Sequence, residues 1–261
     1  MVLRPIAGGP SQPQDALLPV WAAVEPTQQQ PSAEYWLITQ PDHAALAGSI
    51  AAALGPPLAP RLEPEVIQGI AVHDDGWAAL DAQAPCANGR PLSFLEHPPA
   101  TFVPAWAASI DRAQRVAPIA GAIVSQHFSR LGQERANARL DSAEDRQRLL
   151  DFLAREKARQ QRLSSGRSAG EVAFLTDILQ FCDLLSLYLC CGAQQNVEFP
   201  QKLAGRPLRL RRIPSRKGAA QRAAVCQFEP SPLAAGVDLA VMARRFPASE
   251  LGAITLPFLL W

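Results

Sequence analysis

The pattern of apolar and polar positions changes character along the chain. Residues 1–33 are rich in Pro, Gln and Gly and read as a flexible leader, with Leu17–Val24 a candidate short strand. Tyr35-Trp-Leu-Ile-Thr39 is a short β-prone run. A helical period follows: Thr39 is a candidate N-cap, Pro41 suits the first turn, and Asp42 suits the positive end of the dipole. His43, Leu46, Ala47, Ile50 and Leu54 form one face of this helix, and Gly55-Pro-Pro57 ends it. A second helix is predicted from Pro64, with Val66, Ile70, His73 and Trp77 as its stripe and Gly76 near its end. Residues 81–103 read as a Pro- and Gly-bearing loop long enough to suggest a function. Pro104 is predicted to open a third helix to about Arg115. Pro118 opens a fourth, bearing Ile119, Ile123, His127 and Leu131. Ser142-Ala-Glu-Asp145 caps a charged helix to about Leu163, solvated except for an edge of Leu149, Leu150, Phe152 and Leu153. Glu171–Cys191 is apolar on nearly all sides and is predicted as a central buried helix. Beyond residue 195 the runs Leu208–Ile213, Ala223–Phe228 and Val237–Ala243 are β-like and separated by Pro and Gly.

These elements predict a mainly α fold: a leader over 1–33, a helical body over 34–194, and a small β-containing region over 195–261 packed on that body. The Tyr35–Thr39 run is a candidate partner strand for the β region. The apolar end, Leu256–Trp261, would cover the core or a partner. The chain shows no internal repeat.

Composition narrows the function classes. Of 261 residues 48% are hydrophobic and 19% charged, which excludes global disorder. Lys+Arg at 25 against Asp+Glu at 24 argues against a globally basic nucleic-acid binder. Of those cations 22 are Arg and 3 are Lys, a usage that fits a GC-rich bacterial genome. The stretch Phe199–Phe228 holds eight cations and no acid, without interleaved aromatics. It reads as a solvated β-edge and not as a stacking platform for single strands. No uninterrupted apolar run reaches the ~18 residues of a membrane span, and Met1-Val-Leu-Arg-Pro5 carries no apolar signal region. Five Cys without a C-x-x-C pair fit a reducing cytoplasm. Neither a phosphate-binding glycine loop nor a G-x-S-x-G elbow is present.

The informative feature is polarity on apolar stripes. His43, His73, His127 and Asp183 each fall on the apolar face of a different predicted helix, and Asp74 follows His73. A lone carboxylate at Asp183 would cost several kcal/mol of desolvation. No Lys or Arg lies between Glu171 and Cys191 to offset it. A core histidine satisfied by hydrogen bonds is the ordinary reading of any one of these groups. Their coincidence points instead to inward side chains from facing helices around a divalent ion, of the Mn, Fe, Zn, Co or Ni kind.

The order His43 … His73-Asp74 … Asp183 resembles the HD-domain superfamily of metal-dependent phosphohydrolases. That resemblance implies an HD-like helical bundle with His43, His73, Asp74 and Asp183 as ligands. Binuclear members add two histidines in the interval where His97 and His127 lie, which would give two ions. His97 departs from the pattern by lying in a loop, Glu96-His-Pro-Pro99. A closer resemblance, to the bacterial family DUF3891, rests on Thr39-Gln-Pro-Asp-His43-Ala, His73-Asp-Asp-Gly-Trp77, Pro91-Leu-Ser-Phe94, Val124-Ser-Gln-His127-Phe and Leu179-Gln-Phe-Cys-Asp183-Leu-Leu-Ser-Leu, and implies relatives but no activity.

On this reading Asp74, with Asp42 or Asp75 as general base, forms the catalytic set. Gln40, Trp77 and Arg112 are candidates for contacting a small phosphorylated substrate. Asp42 serves equally as helix N-terminal electrostatics, Trp77 as a core aromatic and Arg112 as a surface cation. The expected function is hydrolysis of phosphate esters or nucleotide-like substrates by metal-activated water. Two rivals stand beside it: a non-catalytic metal- or ligand-binding protein, and a binuclear iron oxygenase that needs both His97 and His127 on metal. The sequence leaves substrate and oligomeric state open.

Overall fold

Helix α1 (Gln40–Ala53) begins at its expected cap: Thr39 Oγ1 accepts from the Asp42 backbone N–H at 3.1 Å, and Pro41 lies in the first turn. Among the described residues, seven helices follow the local signals of the chain. They are α1, α2 (Pro64–Ala71), α3 (Ala78–Gln83), α4 (Pro99–Val116), α5 (Pro118–Ala138), α6 (Ala143–Leu163) and α7 (Ala169–Cys191). Ser142 caps α6 through the Asp145 amide, and Ser168 caps α7 through the Glu171 amide. The computed structural model describes residues 1–6, 34–87, 89–164, 166–193, 196–213, 224–247 and 252–261. Most of the expected leader, including Leu17–Val24, lies outside the described residues.

The expectation of a mainly α, HD-like bundle is overturned. Strands β1 (Val2–Pro5), β2 (Tyr35–Ile38), β5 (Val197–Leu203), β6 (Arg206–Ile213), β7 (Ala224–Glu229), β8 (Val237–Phe246) and β9 (Ala253–Leu260) form one curled mixed sheet, so the fold is mixed α/β. Their order is β1-β2-β8-β9-β7-β6-β5, and all pairings are antiparallel except β7 with β9. A separate two-stranded pair, β3 (Cys86–Ala87) with β4 (Arg90–Pro91), lies in the segment read as a loop. The sheet grows from both ends of the chain. Val2–Pro5, assigned by sequence to the leader, pairs with Ile38–Tyr35, and Tyr35–Leu37 pairs with Phe246–Arg244. The β2 and β8 partners lie some two hundred residues apart, a relation that local periodicity does not carry.

Alternation sets the sheet's inner face. In β8, Leu239, Val241 and Ala243 are buried while Asp238, Ala240, Met242 and Arg244 are exposed. In β6, Leu208 and Leu210 face in while Arg209 and Arg211 face out, paired with Glu198 and Glu229. The expected basic stretch is therefore, where described, largely the solvated face of β5 and β6 at a sheet edge. Strand β9 is central despite Pro257. Its ladder with β7 begins only at Phe258, which limits the loss of the missing amide.

Two helix boundaries also differ from expectation. Helix α2 stops at Ala71 and gives way to a 3₁₀ turn, Asp75–Trp77. Helix α4 starts at Pro99, with Pro104 inside it, because Pro99 already supplies a first-turn proline. Helix α7 is long and apolar enough to cross a bilayer. In its 18-residue apolar window 72% is buried inside the protein, against α1, α5 and the sheet.

Candidate metal centre

Close helix contacts bring the polar positions together. A Cβ on Gly48 of α1 would lie 2.5 Å from Ala71 Cβ, and one on Gly69 of α2 would lie 2.6 Å from Ala120 Cβ of α5. These missing side chains let α1, α2 and α5 approach closely, and α7 packs against α1 and α5. Just past the end of α2, Gly76 sits where a Cβ would be 2.0 Å from Ala105 O, and its amide donates to Ser109 Oγ. That contact pins the segment carrying His73 and Asp74 on α4.

The result is a cluster of His43, His73 and Asp183, whose ligand atoms lie within 4.8 Å of one another, with Asp74 beside them. His73 Nδ1 donates to Ile70 O at 2.7 Å. A carbonyl only accepts, so the neutral ring presents its Nε2 lone pair inward. That atom is buried without a hydrogen-bond partner, 3.4 Å from Asp183 Oδ1 and 3.7 Å from Asp74 Oδ2. His43 is arranged alike. Ser186 Oγ donates to Asp183 O at 2.8 Å and so accepts from His43 Nδ1 at 2.8 Å. His43 Nε2 then faces Asp74 Oδ2 at 2.9 Å. Two acceptor atoms at that distance repel unless a proton or cation lies with them.

The donor set fits a divalent transition metal. Ligands about 2.1 Å from an ion and at right angles lie roughly 3 Å from each other, the scale of the 2.9–3.7 Å separations seen here. Without an ion, protons do part of the same work. Burial pushes the His73 imidazole down, but Asp74 and Asp183 outweigh it and raise its pKa to about 9. Burial pushes Asp183 up, but His73, His127 and His43 hold it at about 2. Burial lowers His127 to about 4, so it is neutral near pH 7.

The remaining expected residues divide. His127 borders the cluster, its Nε2 3.8 Å from Asp183 Oδ2 and its ring 5.6 Å from that of His73. His97 is not gathered with it: its ring lies 5.9 Å from the buried ring of Trp77, and it is influenced by the Met1 ammonium and Asp81. Asp42 is occupied as part of the α1 cap, accepting from Thr39 Oγ1 at 2.5 Å. Asp75 is paired with Arg112 Nε at 2.6 Å; burial raises its pKa against the pull of that guanidinium. Gln40 is fully buried, its amide without a hydrogen-bond partner, and its backbone N–H donates to Asp81 Oδ2. Trp77 packs in the core. Sequence reasoning did not single out Ser186, although a hydroxyl one turn after Asp183 in an apolar helix was the available signal.

Solvent reaches the cluster from the carboxylate side. The side chains of Asp74 and Asp183 are 11% and 15% accessible, against 0–2% for the three histidines. Asp75, next to Asp74 in the chain, feels the charges of His73 and Asp74 and is paired with Arg112. The Arg112 side chain is 59% exposed.

The sequence profile of a family described as "Protein of unknown function (DUF3891)" matches residues 27–246. No curated protein and no solved structure matches the chain.

Proposed function

The chain belongs to the DUF3891 family, whose description assigns no function, and from the geometry we propose a metal-dependent hydrolase of phosphate esters or nucleotide-like substrates. One observation carries this reading: two inward histidine Nε2 atoms and two carboxylates converge, and among the described residues no Lys or Arg forms an ion pair with either carboxylate. His43, His73, Asp74 and Asp183 would hold the ion. Their order along the chain, resembling that of HD-superfamily phosphohydrolases, supports the same chemistry on a different architecture. A divalent ion there would lower the pKa of a water and polarise a phosphoryl oxygen. Asp74 Oδ1, buried and without a hydrogen-bond partner, would be free to accept a proton from that water. Arg112, oriented by Asp75, offers guanidinium N–H groups to an anionic substrate.

Metal analysis of freshly purified protein, joined to a phosphate-ester assay, tests the proposal. About one transition-metal ion per chain and hydrolysis are expected, and Asp74→Ala should abolish both. Metal without hydrolysis across a panel of esters would leave a binding protein; absence of metal would remove the whole reading.

A further inference from the structure

We infer that Ser186 is a positioning residue that sets the tautomer of His43 and holds its ring against the turn of α7 that carries Asp183, so that one hydroxyl fixes the orientation of a ligand of the proposed ion. The inference rests on the metal reading above. Ser186 is fully buried on α7, one turn beyond Asp183. Its hydroxyl proton is committed to the Asp183 carbonyl at 2.8 Å, a group that can only accept. What remains on Oγ is a lone pair, which takes the Nδ1–H of His43 at 2.8 Å. That leaves His43 Nε2 free to bind metal.

Removing the hydroxyl leaves His43 Nδ1–H buried, with Asp183 Oδ1 at 3.8 Å as its nearest charged acceptor. That oxygen also lies 3.4 Å from His73 Nε2. The imidazole would turn toward it, withdrawing Nε2 from the site and diverting a ligand oxygen at once. A serine that only fills space predicts neither change.

Cobalt(II) titration of the full chain, followed by visible absorption, separates the cases. Ser186→Ala should bind cobalt about 10–100-fold more weakly, the usual loss when a ligand's outer hydrogen bond is removed, and show a changed visible band. Ser186→Thr and Ser186→Val are matched in size and differ in the hydroxyl. Threonine should stay within about threefold of the parent, and valine should resemble alanine. This pair decides the matter even if the alanine variant does not fold. Equal cobalt affinity and spectra for the threonine and valine variants would overturn the role of Ser186 while leaving the metal site intact. A parent protein that binds no cobalt, zinc or manganese would overturn the metal reading and this inference with it.

Discussion

At the scale of single residues, His73 has two competing occupants for its inward nitrogen. In metal-free protein its pKa stands at about 9 against an ordinary 6.5. A raised pKa means the proton stabilises the folded state fully below pH 6.5, and that the stabilisation is lost as pH rises through 9. The shift corresponds to roughly 3 kcal/mol. Urea unfolding in the presence of chelator should therefore show a higher midpoint at pH 6.5 than at pH 9.5. On the proposed function a bound metal would displace the same proton, so affinity should climb across that window; a flat affinity profile would speak against His73 as a ligand. Asp183→Asn, which keeps the shape and removes the charge, should cut zinc or manganese affinity at least about 100-fold in calorimetric titration. These residues were legible because polar groups on apolar stripes stand out. The Ile70 carbonyl was not, since a carbonyl is common to every residue, and Ser186 had only its place one turn after Asp183 to mark it. Asp42 and Asp75 met the chemical criterion for a base, but nearby partners claim both.

At the scale of elements, the site depends on how closely helices approach. In Gly69→Ala the new methyl would meet Ala120 Cβ at 2.6 Å and Cα at 3.0 Å, where neither backbone can yield without moving α2 off α5. The expected outcome is a loss of about 1–3 kcal/mol in denaturant unfolding, accompanied by weaker metal binding because His73 rides just beyond α2. Gly170→Ala is the control: nothing lies within 4 Å of its added Cβ. That variant should match the parent or exceed its stability by up to about 1 kcal/mol. If both glycine variants behave alike, close packing of α2 does not shape the centre. Helices could be read because their caps and periods are local: Thr39, Ser142 and Pro118 each mark a terminus within a few residues of where it falls. Strands β1, β5 and β9 escaped because a strand is defined by its partners. Val2–Pro5 has no periodicity worth the name, and its place is fixed by Tyr35–Ile38. The C-terminal apolar run likewise settles between β8 and β7, a position no window of sequence discloses.

At the scale of the whole molecule, the sheet and the helices share one core, so the β region is not an appendage. Phe181 of α7 lies 5.0 Å from Phe199 and 5.9 Å from Phe228, ring centre to ring centre, which joins the helix of Asp183 to β5 and β7. At the other end of α1, Gly55 N donates to Pro232 O and Ala234 N donates to Ala53 O. One hydrophobic cluster runs from Val2 and Ile38 through the helices to Phe258 and Leu260. Residues 34–194 alone would thus expose the apolar flank of α7 and lose the partners of β2. Expressed alone, that fragment should fail to give a cooperative unfolding transition and should bind metal at least about tenfold more weakly than the full chain. In the full chain, unfolding followed by far-ultraviolet dichroism and by tryptophan fluorescence should trace one coincident transition. Two separated transitions, or a helical fragment that folds and binds metal like the whole, would show instead that the centre is built by the helices alone. Coincidence would mean that the proposed ion site inherits its rigidity from the sheet that shares its core.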